Sequence, residues 1–539
     1  MKNNRLLITF LLGVVTLFCS CDNFLDETPN KSGSAYIYHM DQLYGMMGSP
    51  DLYLTIDASY SSFTITEPYM YWQMLLGDAV ELDPEFWYVG MQGLFPTAYE
   101  VYSWNKDRLD DQAGMNILWT PSWKRIYTFN TVLENLDKVI QTTKNIHRQV
   151  EGEARFGRAY YHFMLLTQYC LWKEDAPGIG YRENTDVNGI PARQTVGYTL
   201  GRIYEDLELA ESALKEAGRT TFDFKHNFRP TVPTIQAFRA RVDLYRGNYE
   251  SALSNASAAL EAHHTLVDFK NDPLYELFPS TEYHLLDPTD CHIERTVTAK
   301  EMVGVNNRGL ELIPEYEELY LPNLNALDYS GNVPISDSFY QLFDKENDAR
   351  WIHFYNDYKT LDFASGILHT IEVEGQTVRN CIKWSDQQWL KPAWCHTYSR
   401  FYYGTCSIIG MTTAEMYLIK AECLARSGKT GEAAELLKML RRTRFMNENA
   451  ANNIGGNVQQ DILDERMREM GAEWRFFDIK RLNGAENAGI AIRRKILSDI
   501  TDPNSVTELV ITPDDPRWAL PFNPQEAENM GWRQNEGWE

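Results

Sequence analysis

Apolar residues recur three and four positions apart along much of this chain, a spacing that places them on single faces of α-helices. Ile126, Phe129, Leu133, Leu136 and Ile140 form one stripe, and Phe156, Ala159, Phe163, Leu166 and Cys170 form the next. Leu200, Ile203, Leu207, Ala210 and Leu214 form a third. Two further segments read as helix pairs. Pro233 suits an early helical position, where its missing N–H is not needed, and Ile235, Phe238, Val242 and Tyr245 share a face. Gly247-Asn248 breaks the chain before a stripe of Tyr249, Leu253, Ala256 and Leu260. In the other pair, Ala414, Tyr417, Ala421 and Leu424 precede a Ser427-Gly428-Lys429 turn, and Ala433, Leu436 and Leu440 follow it. Alanines at facing positions let two helices approach closely. One pair cannot cover its own apolar face, so such pairs stack, as tetratricopeptide helices do.

No strict repeat period is sustained. The pattern predicts a mainly α fold, a single large domain in which tetratricopeptide-like helix pairs form a scaffold with long irregular insertions. The insertions fall at about 55–120 and 265–405, which lack helical period and are rich in Pro, Gly, Asn, Asp and aromatic residues. Loops of that length in a compact protein usually carry function. Within the second, Leu368–Val373 and Gln376–Ile382 flank Glu374-Gly375 and read as a small hairpin.

The N-terminus carries an address. Lys2 and Arg5 precede an apolar stretch from Leu6 to Phe18, the length of a signal-peptide core and too short to span a membrane. Leu17-Phe18-Cys19-Ser20-Cys21 follows, with a small residue directly before Cys21, as in a lipobox cut by lipoprotein signal peptidase. Residues 1–20 read as a lipoprotein signal peptide and 21–539 as the mature domain, with Cys21 carrying the lipid. Several acyl chains, at about 0.8 kcal/mol per buried CH₂, anchor firmly where one does not. Phe18 is too large for good cleavage before Cys19. The mature start, CDNFLDETPNK, reads as a polar tether.

Composition narrows the function. A formal charge of −24 argues against nucleic acid, whose phosphates need clustered Lys and Arg. Cys170, Cys291, Cys381, Cys395, Cys406 and Cys423 remain once Cys19 and Cys21 are set aside. Their spacing selects no disulfide pairing, and Cys170 and Cys423 fall on helical faces as small core residues. No CxxC, HExxH or close His/Cys cluster is present, so neither metal nor cofactor is expected. The 14 Trp and 31 Tyr are compatible with flat, partly polar recognition surfaces.

Ordered motifs then carry a resemblance. They begin with CDNFLDETP after the lipid-bearing Cys, Glu153 to Tyr161, and Tyr204-Glu205-Asp206-Leu207 with Ala210. Ala240 to Tyr249 follows, then Phe343-Asp344-Lys345 with Asp348-Ala349-Arg350, and Glu415 to Glu422. Last come Glu465-Arg466 with Glu469, Glu473, Arg475, Asp478 and Arg481, and Leu520-Pro521 with Glu526 and Gln534-Asn535. In this order, over nearly the whole chain, they resemble the SusD/RagB family of nutrient-binding lipoproteins. One departure is Met411, where the family often has Arg. The resemblance implies four tetratricopeptide-like pairs and a lipid-anchored, surface-exposed position at the outer membrane. It also implies a partnership with a SusC-like TonB-dependent transporter and an oligosaccharide ligand. Asp22 with Asp26-Glu27 looks like the family's surface-export signal.

Sugar binding needs aromatic planes for ring C–H faces and planar polar groups for hydroxyls. Trp72 with Asp78, then Trp87 and Tyr88, offer both in the first insertion. Trp384, Trp389 and Trp394 form a second candidate set, and Tyr316 with Tyr320 a third. Core packing is the competing reading for each. Glu465, Glu469 and Glu473, spaced four apart, are open to reading as a glycosidase acid and base. A structural network with Arg466, Arg475 and Arg481 is the preferred reading, since like charges at that spacing need partners. The expectation is therefore a binding protein and not an enzyme, with glycan as cargo and peptide or glycopeptide as the alternative.

Overall fold

The computed structural model describes residues 37–49, 71–81, 101–105, 116–186, 191–223, 228–270, 333–357 and 410–539 with small breaks, together with short strand segments between 283 and 408 and a few single positions. Helices dominate. Before residue 263 they are α1 (Met40–Met47), α2 (Tyr71–Leu76), α3 (Asn116–Asn135), α4 (Lys144–Tyr169), α5 (Val196–Glu216), α6 (Val232–Arg246) and α7 (Tyr249–Ala262). Beyond it lie α8 (Asp337–Gln341), α9 (Ala349–Phe354), α10 (Thr413–Arg426), α11 (Thr430–Arg442), α12 (Glu448–Asn452), α13 (Val458–Glu486) and α14 (Pro524–Met530). Contacts follow chain order: α3 and α5 flank α4, α6 pairs with α7, α7 packs on α10, α10 pairs with α11, and α13 closes against α10 and α2. This is the helix-pair scaffold that the apolar periodicity predicts. The hairpin of Leu368–Val373 with Gln376–Ile382 also forms, antiparallel and with one irregularity.

Local chemistry sets the helix ends. Thr143, Thr195, Thr412 and Asn457 each accept a backbone N–H three residues on, removing one unpaired donor from a helix start. Pro233 lies in the first turn of α6, and Gly247 closes that helix with φ 76°, a left-handed conformation that favours glycine. One stripe is shorter than its spacing suggests. α3 stops at Asn135, and Ile140 is 62% exposed. The backbone there is committed elsewhere: Ile140 N–H donates to Tyr38 carbonyl at 2.7 Å, while Gln141 Nε2 caps the carbonyls of Leu136 and Val139. At its other end α3 begins at Asn116, within the stretch expected to be irregular.

α13 bends at Gly471, whose φ of 71° and ψ of −172° interrupt the helix. The bend brings Arg466 within 3.0 Å of Asp478, although twelve residues of straight helix would separate them by about 18 Å. Glu465 and Glu469 share a face as expected, but Glu473 lies beyond the bend.

Buried ion pairs tie the helices together. Arg158 on α4 pairs with Asp206 on α5 at 2.6 Å, and Arg241 on α6 with Glu415 on α10 at 2.5 Å. Arg481 on α13 pairs with Glu422 on α10 at 2.9 Å. Arg350 on α9 holds Asp348 at 2.9 Å and reaches Glu465 at 2.6 Å and Glu469 at 2.8 Å on α13. Arg441 and Arg468 complete the Glu465 shell, and Arg444 that of Glu469. Glu465 and Glu469 therefore sit in a structural network as anticipated, with partners other than those expected. Arg466 and Arg481 serve Asp478, while Arg475 serves Asp78.

Two substitutions test this packing. Arg350→Met leaves three buried carboxylates short of a counter-charge, and should cost about 3–5 kcal/mol in denaturant unfolding. Gly157 on α4 lies where a methyl group would overlap the ring of buried Phe129 on α3. Gly157→Ala should destabilise by about 1–3 kcal/mol, seen as a lower thermal midpoint.

Candidate functional site

Arg494, on the strand Ile492–Leu497, fixes the base of the first insertion. Its buried guanidinium donates to the carbonyls of Leu75 at 2.6 Å, Gly77 at 2.5 Å and Tyr102 at 3.0 Å, and stacks on the Tyr102 ring. Burial lowers its pKa, and these carbonyl dipoles stand where a carboxylate counter-ion usually would. Beside it, Arg475 grips Asp78 with two bonds of 2.6 and 2.9 Å, and Ser336 Oγ donates to the Asp78 carbonyl. The Asp78 carboxylate is therefore engaged in holding this segment, while remaining partly exposed.

Of the other predicted site residues, Trp72 sits on α2 and Tyr320 on a short strand, Leu319–Leu321, paired with Met411–Thr412. The side chains of both lie outside the described residues. Trp87, Tyr88, Tyr316, Trp384, Trp389, Trp394 and Cys21 lie outside them altogether. Cys170 and Cys423 are free and buried, as core residues.

An open groove of about 520 Å³ runs along α3, and the sequence reading did not single it out. One wall is the helix face of Thr120, Trp123, Lys124, Tyr127 and Thr128, and the other includes Glu526 and Met530 of α14, with Arg182. Trp119 lies at its floor, 2% exposed, edge-on to Trp123. Tyr127 is 43% exposed. These residues alternate with the buried stripe of Ile126 and Phe129, so the side of α3 that faces away from the core presents rings and a cation together. That pattern, aromatics on the polar face of an amphipathic helix, was the available signal.

Polar groups of the groove are held from behind. His162, buried on α4, donates through Nδ1 to the Arg158 carbonyl at 2.8 Å, and its Nε2 accepts the Arg182 N–H at 3.0 Å. Burial pushes its pKa down to about 3, so the ring stays neutral and keeps that acceptor. Asn130 Nδ2 donates to the Arg182 carbonyl at 3.2 Å. At the opposite end, Glu526 accepts from Thr120 Oγ1 at 3.3 Å, and desolvation raises its pKa.

Burial pushes Glu465 up, but Arg350, Arg468 and Arg441 outweigh it and hold that carboxyl well below the usual range, unfit to donate a proton. Among the described residues no group of three His, Cys, Asp or Glu could hold a metal ion, and no helix is long and apolar enough to cross a membrane.

Comparison with known proteins places this architecture. A SusD superfamily protein from Bacteroides thetaiotaomicron superposes with a TM-score of 0.61 at 16% identity, covering 92% of this chain and 99% of its own. One from Bacteroides vulgatus gives 0.56 at 16% identity, over 93% and 98%. A laminarin-binding SusD-like protein gives 0.55 at 17% identity, over 93% and 100%. No curated protein matches the chain. Residues 86–244 match a family described as starch-binding and associating with the outer membrane, and residues 344–538 match the SusD family. With that fold across the chain and these matches to most of its helix pairs, this protein belongs to the SusD/RagB family.

Proposed function

We propose that this protein is a cell-surface lipoprotein that captures an oligosaccharide and delivers it to a SusC-like TonB-dependent transporter in the outer membrane. The observation that carries the reading is an open groove with aromatic walls on a rigid helix-pair frame, in a SusD/RagB chain. Rings at its wall suit sugar C–H faces, and Lys124, Thr128, Arg182 and Glu526 supply donors and acceptors for hydroxyls. A structural neighbour that binds laminarin supports the same cargo class. Trp72, Asp78, Trp87, Tyr88, Tyr316, Tyr320, Trp384, Trp389 and Trp394 are proposed as further ligand contacts, carried by the two insertions. The role is binding without turnover, a reading supported by the commitment of Glu465 and Glu469 to arginines. Residues 1–20 are removed, Cys21 bears the lipid, and 21–539 form the mature domain.

Calorimetry of the chain from Cys21 onward against an oligosaccharide panel should yield binding, weakened about tenfold by Tyr127→Ala for a groove ligand. Heat from peptide pools with none from any saccharide would move the cargo to peptide. In cells, Cys21→Ala should abolish palmitate labelling and release the protein from the membrane fraction, whereas Cys19→Ala should leave both unchanged; labelling lost only in the Cys19 variant would refute the assignment.

A further inference from the structure

Charge in the groove is distributed unevenly along its length. Thr120 and Thr128 are both wall residues, and eight residues of helix separate them by about 12 Å. Glu526 is tied to the Thr120 end through its hydrogen bond from that hydroxyl. Arg182 is tied to the other end, because its carbonyl is held by Asn130, two residues past Thr128. Lys124 projects between them, one turn from each threonine. The groove therefore runs from a single carboxyl group, through a lysine, to an arginine.

Those two cations stand apart from the others of the chain. The protein carries 75 acidic against 51 basic residues, and its described arginines are mostly paired with carboxylates, as in Arg158–Asp206, Arg202–Glu183 and Arg246–Glu174. Lys124 and Arg182 make no ion pair among the described residues. The only side-chain acceptor that Arg182 meets there is a backbone carbonyl, that of Asp186, at 2.5 Å. Its main chain is held on both sides, by His162 and Asn130, and its guanidinium is steadied by the Asp186 carbonyl. A cation held in place beside exposed rings, without a carboxylate, is suited to accept one from outside. The carboxyl at the opposite end does not oppose this strongly. The threonines that mark the two ends stand about 12 Å apart along the helix, beyond the screening length of roughly 8 Å at physiological salt.

We propose that the groove between α3 and α14 selects an acidic saccharide, with a ring carboxylate or sulfate seated at Arg182 and Lys124 and an uncharged ring against Trp123 and Tyr127. Glu526 then accepts a hydroxyl at the distal ring. This rests on the reading of the protein as a glycan binder and adds the charge class of the ligand. Both anions offer a pair of anionic oxygens to a guanidinium, and separate arms of the test distinguish them.

The test is calorimetry of the chain from Cys21 onward with matched oligosaccharides of one backbone in neutral, uronic-acid and sulfated forms, in low and in physiological salt. At least one acidic form should bind tenfold or more tightly than the neutral form, and the advantage should shrink as salt rises. Arg182→Gln and Lys124→Ala should each remove most of that advantage, weakening the acidic form about fivefold or more beyond any loss for the neutral form. Arg182→Gln keeps the backbone bonds to His162 and Asn130, so an unchanged thermal midpoint would confirm that the variant is folded. Equal affinity for neutral and acidic forms, or an acidic preference that survives both substitutions, overturns the proposal while leaving glycan capture intact. Failure of every saccharide to bind overturns both.

Discussion

The fold depends on charge neutralised in place inside a helical body. An ionised side chain taken from water costs several kcal/mol unless a partner and aligned hydrogen bonds meet it there. In this protein the partners come from different helices, so neutralisation and assembly are the same event. Asp206 can be buried only where α5 meets Arg158 of α4, and Glu415 only where α10 meets Arg241 of α6. Hydrophobic stripes would allow these helices to slide or rotate against one another. The ion pairs do not, because a guanidinium matches a carboxylate in few orientations. Apolar burial supplies the driving force, and the pairs select one arrangement from those it permits.

That division explains what could be read from sequence. Helix pairs were visible because the stripes at 235–245 with 249–260 and at 414–424 with 433–440 are local, and their turns contain the glycines that close them. The family motifs were visible as words, but not as pairs. Nothing in the spacing says that Arg350 reaches Glu465 and Glu469, over a hundred residues on, nor that Arg475 leaves its neighbours to hold Asp78. The Gly471 bend was equally silent, since a glycine within a helical pattern is usually just tolerated there. The extra residues assigned to the stripe after Asn135 show the converse error: the spacing continues, but the backbone hydrogen bonds do not.

Recognition was harder to locate, for a physical reason. Trp and Tyr serve equally as core and as ligand platform, and sequence does not say which ring faces outward. Trp119 and Trp123 sit four residues apart on α3, yet one is interred and the other borders the groove. The rings named from sequence lie mostly outside the described residues, whereas the groove lies on a regular helix whose inner face is packed core. As the proposed binding surface, a face of such an element has little freedom to adapt.

Arg494 has an evolutionary corollary. By clasping the carbonyls of Leu75, Gly77 and Tyr102 it joins two stretches of chain through main-chain acceptors. Carbonyls are common to every amino acid, so the clasp does not read the identity of what it holds. A change of side chain at any of the three leaves the clasp its acceptors, so the join outlasts drift in the residues that it holds. One guanidinium thus makes the junction indifferent to the identity of what it fastens.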